Sequence, residues 1–337
     1  MSLKIAFFDS KPYDEQSFNH VNQKFGYDIR YFKGHLNIEN VVLSKGMDVV
    51  CIFVNAVADA AVINQLVDNG VKLIALRCAG FNNVDLNACE GKIKVVRVPA
   101  YSPYAVAEHT LALMLTLNRK THKAYNRTRE GNFALNGLMG FDMHGKTAGI
   151  IGTGKIAKIL IATLRSMGMK VLAYDIYPDE NFAKVQDINY VSLDQLYENS
   201  DIISLHCPLT KDTEYIINDE SISKMRNGVM IINTGRGKLI NTYALIKGLK
   251  SKKIGYAGLD VYEEESEYFF EDRSNFVMDD DILARLLSFN NVIVTSHQAF
   301  FTKEALENIA ETTLQNIQDF NYNKHLINEV LAVKSTK

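Results

Sequence analysis

Chemistry-bearing residues follow β-branched runs at several places in this chain. "TAGII" leads into Gly152-x-Gly154-x-x-Ala157. "KVLAY" ends at Asp175. "IINTGRG" places Arg236 between two glycines. "GLDVYEEES" carries Asp260, Glu263, Glu264 and Glu265. "NVIVTSHQAF" ends its run at His297. Each type does particular work. Gly152 permits a tight turn, and Gly154 lets the backbone approach a pyrophosphate. The N–H groups at the start of the following helix, around Lys155 and Ile156, meet its charge. Asp175 stands 21 positions after Gly154, where a carboxylate can accept from both hydroxyls of an adenosine ribose and repel a 2′-phosphate. No Arg or Lys follows it directly, so NAD is expected over NADP. An arginine bared by glycines can fork onto a carboxylate. A histidine can donate a proton, and a neighbouring carboxylate can hold it charged.

Most of the eight histidines are expected to be structural, and His206, beside Cys207-Pro208, reads as a cofactor wall. Position singles out His297. In an open parallel sheet, ligands bind beyond the carboxyl ends of the strands. The five features each follow a different strand of one series, so they are expected to converge. A dinucleotide, a carboxylate-binding arginine, a carboxylate and a histidine together point to hydride transfer on a small 2-oxo acid.

The elements that must position these residues alternate along the chain. Strand-like runs at 4–10, 48–54, 72–78 and 94–100 are separated by helix-period segments. A long helix is expected from Ser102 and Pro103 to about Thr128. A second series then runs from 147 to 297 with six strand-like runs, the number in a dinucleotide-binding sheet. The segment from Thr302 is helical and is expected to return to the first domain. The fold class is therefore α/β, with doubly wound parallel sheets.

The 337 residues suffice for two domains. A net charge of −2 with scattered Lys and Arg offers no field for nucleic acid or an anionic membrane. The short apolar N-terminal run is not expected to be a signal peptide, and no apolar stretch approaches the ~18 residues of a membrane span. Cys51, Cys78, Cys89 and Cys207 show no metal-ligand spacing. No metal is expected, and a soluble cytoplasmic protein with reduced thiols is the simplest expectation.

The pieces "RCAGFNNVDL", "VPAYSPYAVAEH", "GIIGTGKIA", "NTGRG", "GLDVYEEES", "YFFEDRSN" and "TSHQAF" together resemble the D-2-hydroxyacid dehydrogenases. Within them the sequence is most similar to the fermentative D-lactate dehydrogenase branch, over nearly the whole chain. The resemblance implies a flavodoxin-like substrate domain at 1–100 and 300–337. It implies a Rossmann NAD-binding domain inserted at 101–299, with a cleft between the two. It places the family's catalytic set on Arg236, Glu265 and His297, where spacing alone leaves Glu263, Glu264 and Glu265 open. It assigns the carboxylate cradle to Cys78, Ala79 and Gly80 beside Arg236. Tyr101 and Phe300 become walls of a small substrate pocket. Cys207, Pro208, Thr213, Thr234, Gly235, Arg236 and Asp260 join the NAD contacts. Pyruvate and D-lactate are the implied substrates, and a homo-oligomer packed through the apolar helix is implied. Two other readings remain: a dehydrogenase for a bulkier 2-oxo acid of the hydroxyisocaproate or phenyllactate type, and a non-catalytic NAD-sensing protein.

Overall fold

The structure, a computed structural model, describes residues 3–264 and 268–332. Glu265 therefore lies outside the described residues. The chain divides into two compact units, one of residues 1–102 with 301–337 and one of residues 103–300.

In the first unit, β1 (Lys4–Phe8), β2 (Asp28–Phe32), β3 (Val49–Ile52), β4 (Leu73–Leu76) and β5 (Lys94–Val96) form one parallel sheet in the order β2-β1-β3-β4-β5. That is the flavodoxin-like order. Strands β3 and β4 are buried at every position. Parallel strands covered on both faces need apolar residues throughout, so they read as unbroken runs. β2 adds to the strands read from the sequence. It is an edge strand with exposed and half-buried residues, including Asp28 and Arg30, and so lacks the apolar signal. Helix Lys303–Asn321 packs on helix Pro12–Asn22 of the same unit. Beyond it, the Val330 N–H donates to the Val95 carbonyl.

In the second unit, seven parallel strands are ordered β12-β11-β10-β9-β6-β7-β8. They are β6 (Thr147–Ile151), β7 (Lys170–Tyr174), β8 (Asn189–Tyr190), β9 (Ile202–Leu205), β10 (Val229–Asn233), β11 (Ile254–Leu259) and β12 (Val292–Val294). Counted outward from β6, this is the doubly wound order of a dinucleotide-binding sheet with one further strand. The strand that raises the expected six to seven is β8, two residues at the sheet edge and too short for periodicity to register. Alternate residues feed opposite faces. Ile231 joins Ile203 and Leu205 in one core, while Met230 and Ile232 join Ile150 and Leu160 in the other.

One expectation is corrected here. The long helix is two helices, Pro103–Arg119 and Thr121–Arg129, broken at Lys120, whose φ is +50°. The first buries Leu113, Met114 and Leu117, whereas the second buries none of its residues. No packed face continues past Arg119 to keep the two in line. Lys120 is instead held by its side chain, which donates to the Met139 carbonyl at 2.5 Å and lies over the Tyr256 ring. Among the described residues no helix is long and apolar enough to cross a membrane.

Candidate active site

The turn after β6 is shaped by close approach. Gly152 has φ +89°, and a Cβ there would sit 2.5 Å from the Cys207 backbone nitrogen. Any other residue would be strained and would collide with the backbone leaving β9. At Gly154 the opposite holds, since a Cβ would meet nothing within 4 Å. Gly154 is also the N-cap of helix Lys155–Ser166, and no side chain caps that helix start. Its first N–H groups, including those of Lys155 and Ile156, are left for an anion approaching past a residue without a side chain. The turn thus fits a pyrophosphate.

Asp175 follows β7 and is held across from this turn. Its Oδ2 accepts from the Thr153 N–H at 2.6 Å and the Thr153 hydroxyl at 2.9 Å, while Oδ1 accepts from the Tyr177 N–H at 2.9 Å. Partial burial works to raise its pKa, but the hydrogen bonds from Thr153 and Tyr177 prevail and hold it below the ordinary carboxylate value. The Tyr190 hydroxyl, on β8, donates in turn to Thr153 Oγ1 at 2.9 Å. No sequence signal marks this Tyr190–Thr153–Asp175 chain, because Tyr190 lies on β8, a strand of two residues. The carboxylate is ionised, fixed by neutral donors, and retains acceptor capacity for ribose hydroxyls.

The strand that delivers Arg236 ends in a local brace. Asn233 Oδ1 accepts from the Gly235 N–H at 3.0 Å, and its Nδ2 donates to the Arg236 carbonyl at 2.9 Å. A Cβ on Gly237 would lie 2.1 Å from the Tyr262 carbonyl oxygen. The Gly-Arg-Gly stretch is therefore pressed against the loop after β11. Arg236 remains exposed, with one hydrogen bond among the described residues, Nη1 to the Gly235 carbonyl at 2.8 Å. Most of its fork stays available to a carboxylate.

Asp260 is wholly buried. Its Oδ1 accepts from the Thr295 hydroxyl at 2.5 Å and the Gln298 N–H at 2.9 Å, and its Oδ2 accepts from the Ala299 N–H at 2.8 Å. The His297 N–H donates to the Asp260 backbone carbonyl at 2.7 Å. These bonds clamp residues 295–299, in which His297 takes a left-handed backbone at φ +53°. A non-glycine residue there costs energy that the surrounding bonds must offset. The half-buried imidazole lies 5.7 Å, centroid to centroid, from the Phe270 ring. His109 supports the clamp, its Nε2 standing 3.1 Å from Thr295 Oγ1 and 3.4 Å from Asp260 Oδ1. His109 lies in helix Pro103–Arg119, and no sequence signal linked it to a residue 186 positions away.

Of the three glutamates, Glu263 is committed elsewhere. Its Oε1 accepts from the Thr242 N–H at 2.7 Å and the Thr242 hydroxyl at 2.5 Å, and its Oε2 accepts from the Tyr215 hydroxyl at 2.8 Å. That last bond pushes the Tyr215 phenol up to about 12. Glu264 is exposed and lines a hollow of about 370 Å³ with Asp279 and Asp280.

Other expected residues occupy varied surroundings. Thr213 accepts from the Thr210 N–H and donates to the Pro208 carbonyl at 2.6 Å, fixing the turn beyond Cys207. Burial pushes the Cys207 thiol up to about 11, so it is a neutral wall. Burial also pulls His206 down to about 4, and its Nε2 meets the Ser204 hydroxyl at 2.8 Å. Thr234 is buried, its hydroxyl bonded to that of Thr110 at 2.9 Å. Phe300 is buried. In the first unit, the Cys78 thiol donates to the Gly80 carbonyl at 3.3 Å, and Arg97 donates to the Ala79 carbonyl at 2.8 Å. The Tyr101 carbonyl accepts from Asn308 at 2.9 Å.

Known proteins match this arrangement. The family model described as "D-isomer specific 2-hydroxyacid dehydrogenase, NAD binding domain" matches residues 111–299. A 2-hydroxyacid dehydrogenase homolog of Haemophilus influenzae is 51% identical, over 98% of this chain and 99% of that one. A D-lactate dehydrogenase of Escherichia coli is 48% identical, over 98% of this chain and 100% of that one. The solved structure of the pyruvate reductase of Chlamydomonas reinhardtii superposes with a TM-score of 0.93 at 45% identity, over 97% and 98% of the two chains. The seven-stranded sheet, the Gly152 turn and Asp175 thus lie in an NAD-binding dehydrogenase domain, and the chain belongs to the D-isomer specific 2-hydroxyacid dehydrogenase family.

Proposed function

We propose that the chain is a D-lactate dehydrogenase, interconverting pyruvate and D-lactate, with His297 as general acid and base. The observation that carries this is the clamp of buried Asp260 on residues 295–299, which holds His297 on the sheet edge that also bears the Gly152 turn, Asp175 and Arg236. Bound along that edge, NADH supplies the hydride. The turn at Gly152–Gly154 and the start of helix Lys155–Ser166 take its pyrophosphate, and Asp175 takes the adenosine ribose. Arg236 forks onto the substrate carboxylate. The imidazolium of His297 gives its proton to the carbonyl oxygen as carbon is reduced, and takes it back in the reverse direction. Glu265 holds that imidazolium charged. Phe300, three residues beyond His297, limits the substrate to a small acid. The commitment of Glu263 to Thr242 and Tyr215 supports Glu265 over Glu263 in this role.

A spectrophotometric trace of NADH with a panel of 2-oxo acids tests the substrate. Pyruvate is expected to have the highest kcat/KM, and faster turnover of phenylpyruvate or 2-oxoisocaproate overturns the lactate assignment. His297→Gln is expected to retain NADH affinity and to slow the chemical step by roughly 10²–10⁴-fold. Turnover within a few-fold of wild type would rule out the acid–base role. Glu265→Gln is expected to move the pH range of efficient pyruvate reduction toward acid, whereas Glu263→Gln should leave that profile in place.

A further inference from the structure

The edge of the second sheet opposite the dinucleotide turn carries a hollow of about 590 Å³. It lies at the amino ends of the strands, where Gly228 precedes β10, Ile254 begins β11 and Asn291 precedes β12. Its chemistry is one-sided. Lys120, His122, Lys123 and Lys252 line it, and no aspartate or glutamate among the described residues does. Soluble proteins ordinarily intersperse the two signs, since like charges repel and cost stability. Lys120, His122 and Lys123 are moreover half-buried, where repulsion is less screened than on an open surface.

These cations are held in place by neutral groups. Lys120 Nζ lies 5.5 Å from the centre of the Tyr256 ring and donates to the Met139 carbonyl. Lys123 Nζ donates to the Asn290 carbonyl. Neither is joined to a carboxylate among the described residues. Burial, then Lys120 and Arg127, depress Lys123 below the ordinary lysine value. Burial and Lys123 likewise depress His122, whose Nδ1 is buried with no hydrogen-bond partner. A roomy cavity lined by two positioned, mutually repelling lysines and a third at Lys252, with no aspartate or glutamate among its described lining residues, is what a site for a multiply charged anion requires.

We propose that this hollow, bounded by Lys120, His122, Lys123 and Lys252, is a second small-molecule site that binds a compact anion of two or more charges, a phosphate ester or a polycarboxylate. It is separate from the hydride-transfer site: the six residues of β11 (Ile254–Leu259) run from this hollow to Asp260, roughly 20 Å at ~3.3 Å per residue.

The test uses the full chain saturated with NADH, so that the Gly152 turn is occupied. Inorganic pyrophosphate and citrate are titrated separately by calorimetry in low-salt buffer free of phosphate. At least one is expected to bind saturably at one site per chain, and which one binds identifies the phosphate or carboxylate source. Lys123→Gln with Lys252→Gln is expected to weaken that binding by at least about tenfold, with pyruvate reduction in the absence of either anion unchanged. Lys252→Gln alone, on an exposed residue, keeps the test open if the double variant folds poorly, and it should weaken binding by a smaller factor. No saturable binding of either anion at low millimolar concentration, or equal binding by wild type and the variants, overturns the proposal.

Discussion

Arg77 and Arg236 each stand just beyond a fully buried strand of a parallel sheet, β4 in one unit and β10 in the other, yet they have opposite fates. Arg77 is 2% exposed. Its guanidinium donates to the Phe8 and Asp9 carbonyls at 3.1 and 2.6 Å and lies over the Phe7 and Phe53 rings. The carboxylates of Asp14 and Asp9 stand 3.5 and 3.8 Å away. Its charge is spent inside the fold. Arg236 is exposed, flanked by glycines, and has one hydrogen bond among the described residues. What separates a committed arginine from an available one is therefore not its place on the sheet. It is whether the neighbouring chain supplies partners or, as Gly235 and Gly237 do, withholds them.

The largest expected effect breaks the first cluster. Arg77→Met removes the guanidinium beside buried Asp14 and Asp9, of which Asp9 keeps Lys11, and should cost about 3–5 kcal/mol of stability at neutral pH in urea unfolding. The penalty has a pH sign. Burial already raises Asp14, against the pull of Arg77. Burial also works to raise Asp9, but His35 and Arg77 prevail and lower it. Without Arg77 both carboxyls rise. A raised carboxyl contributes stability at low pH that is lost as pH climbs through its folded value. The variant should therefore lie closer to wild type at pH 5 than at pH 8, and a penalty that grows on acidification would refute the account.

Arg236→Gln should do the reverse. Its melting temperature should stay near wild type and its NADH affinity should hold, while kcat/KM for pyruvate falls about 10²–10³-fold. A folding defect comparable to that of Arg77→Met would erase the distinction. Asp260→Asn lies between the two. An amide presents N–H where the carboxylate accepted the Gln298 or Ala299 N–H, and each buried donor left unpaired costs about 1–3 kcal/mol. Stability and kcat should fall together, because the same bonds hold the backbone of His297. Loss of one without the other would separate the clamp from the chemistry.

The two units also differ in what could be read in advance. Buried strands such as β4 and β10 announce themselves, because parallel strands covered on both faces admit little but apolar residues. The edge strands β2 and β8 do not, one being half-polar and the other two residues long. The tight turn at Gly152 was legible because glycine spacing reports backbone geometry directly. The burial of Asp260 was not, since "DVYEEE" reads as a solvated acidic loop until Thr295, Gln298 and Ala299 are seen to converge on its first residue. Nor was the commitment of Glu263, whose partner Thr242 lies 21 positions away on another element. Nothing in the Lys-Thr step marked the break at Lys120, because the missing signal was an absent buried face rather than a breaker residue.

The smallest expected effect sharpens the comparison at the level of carboxylates. Asp9, in the first unit, faces the cations of Lys11 at 3.1 Å and Arg77 at 3.8 Å, with the His35 ring at 3.3 Å. Asp175, in the second, is held by N–H groups and a hydroxyl instead. Its negative charge is oriented without being neutralised, which is what discrimination against a 2′-phosphate needs. Tyr190 is the outermost member of that neutral chain, 2.9 Å from Thr153 Oγ1. Tyr190→Phe removes one hydrogen bond, worth about 0.5–1.5 kcal/mol, and leaves the Thr153 contacts to Asp175 in place. The dissociation constant for NADH, followed by its fluorescence, should rise about 2–10-fold. The kcat at saturating NADH and pyruvate should not change, since Tyr190 touches nothing at His297. If kcat falls while NADH affinity holds, Tyr190 serves the packing of the second sheet and not the orientation of Asp175.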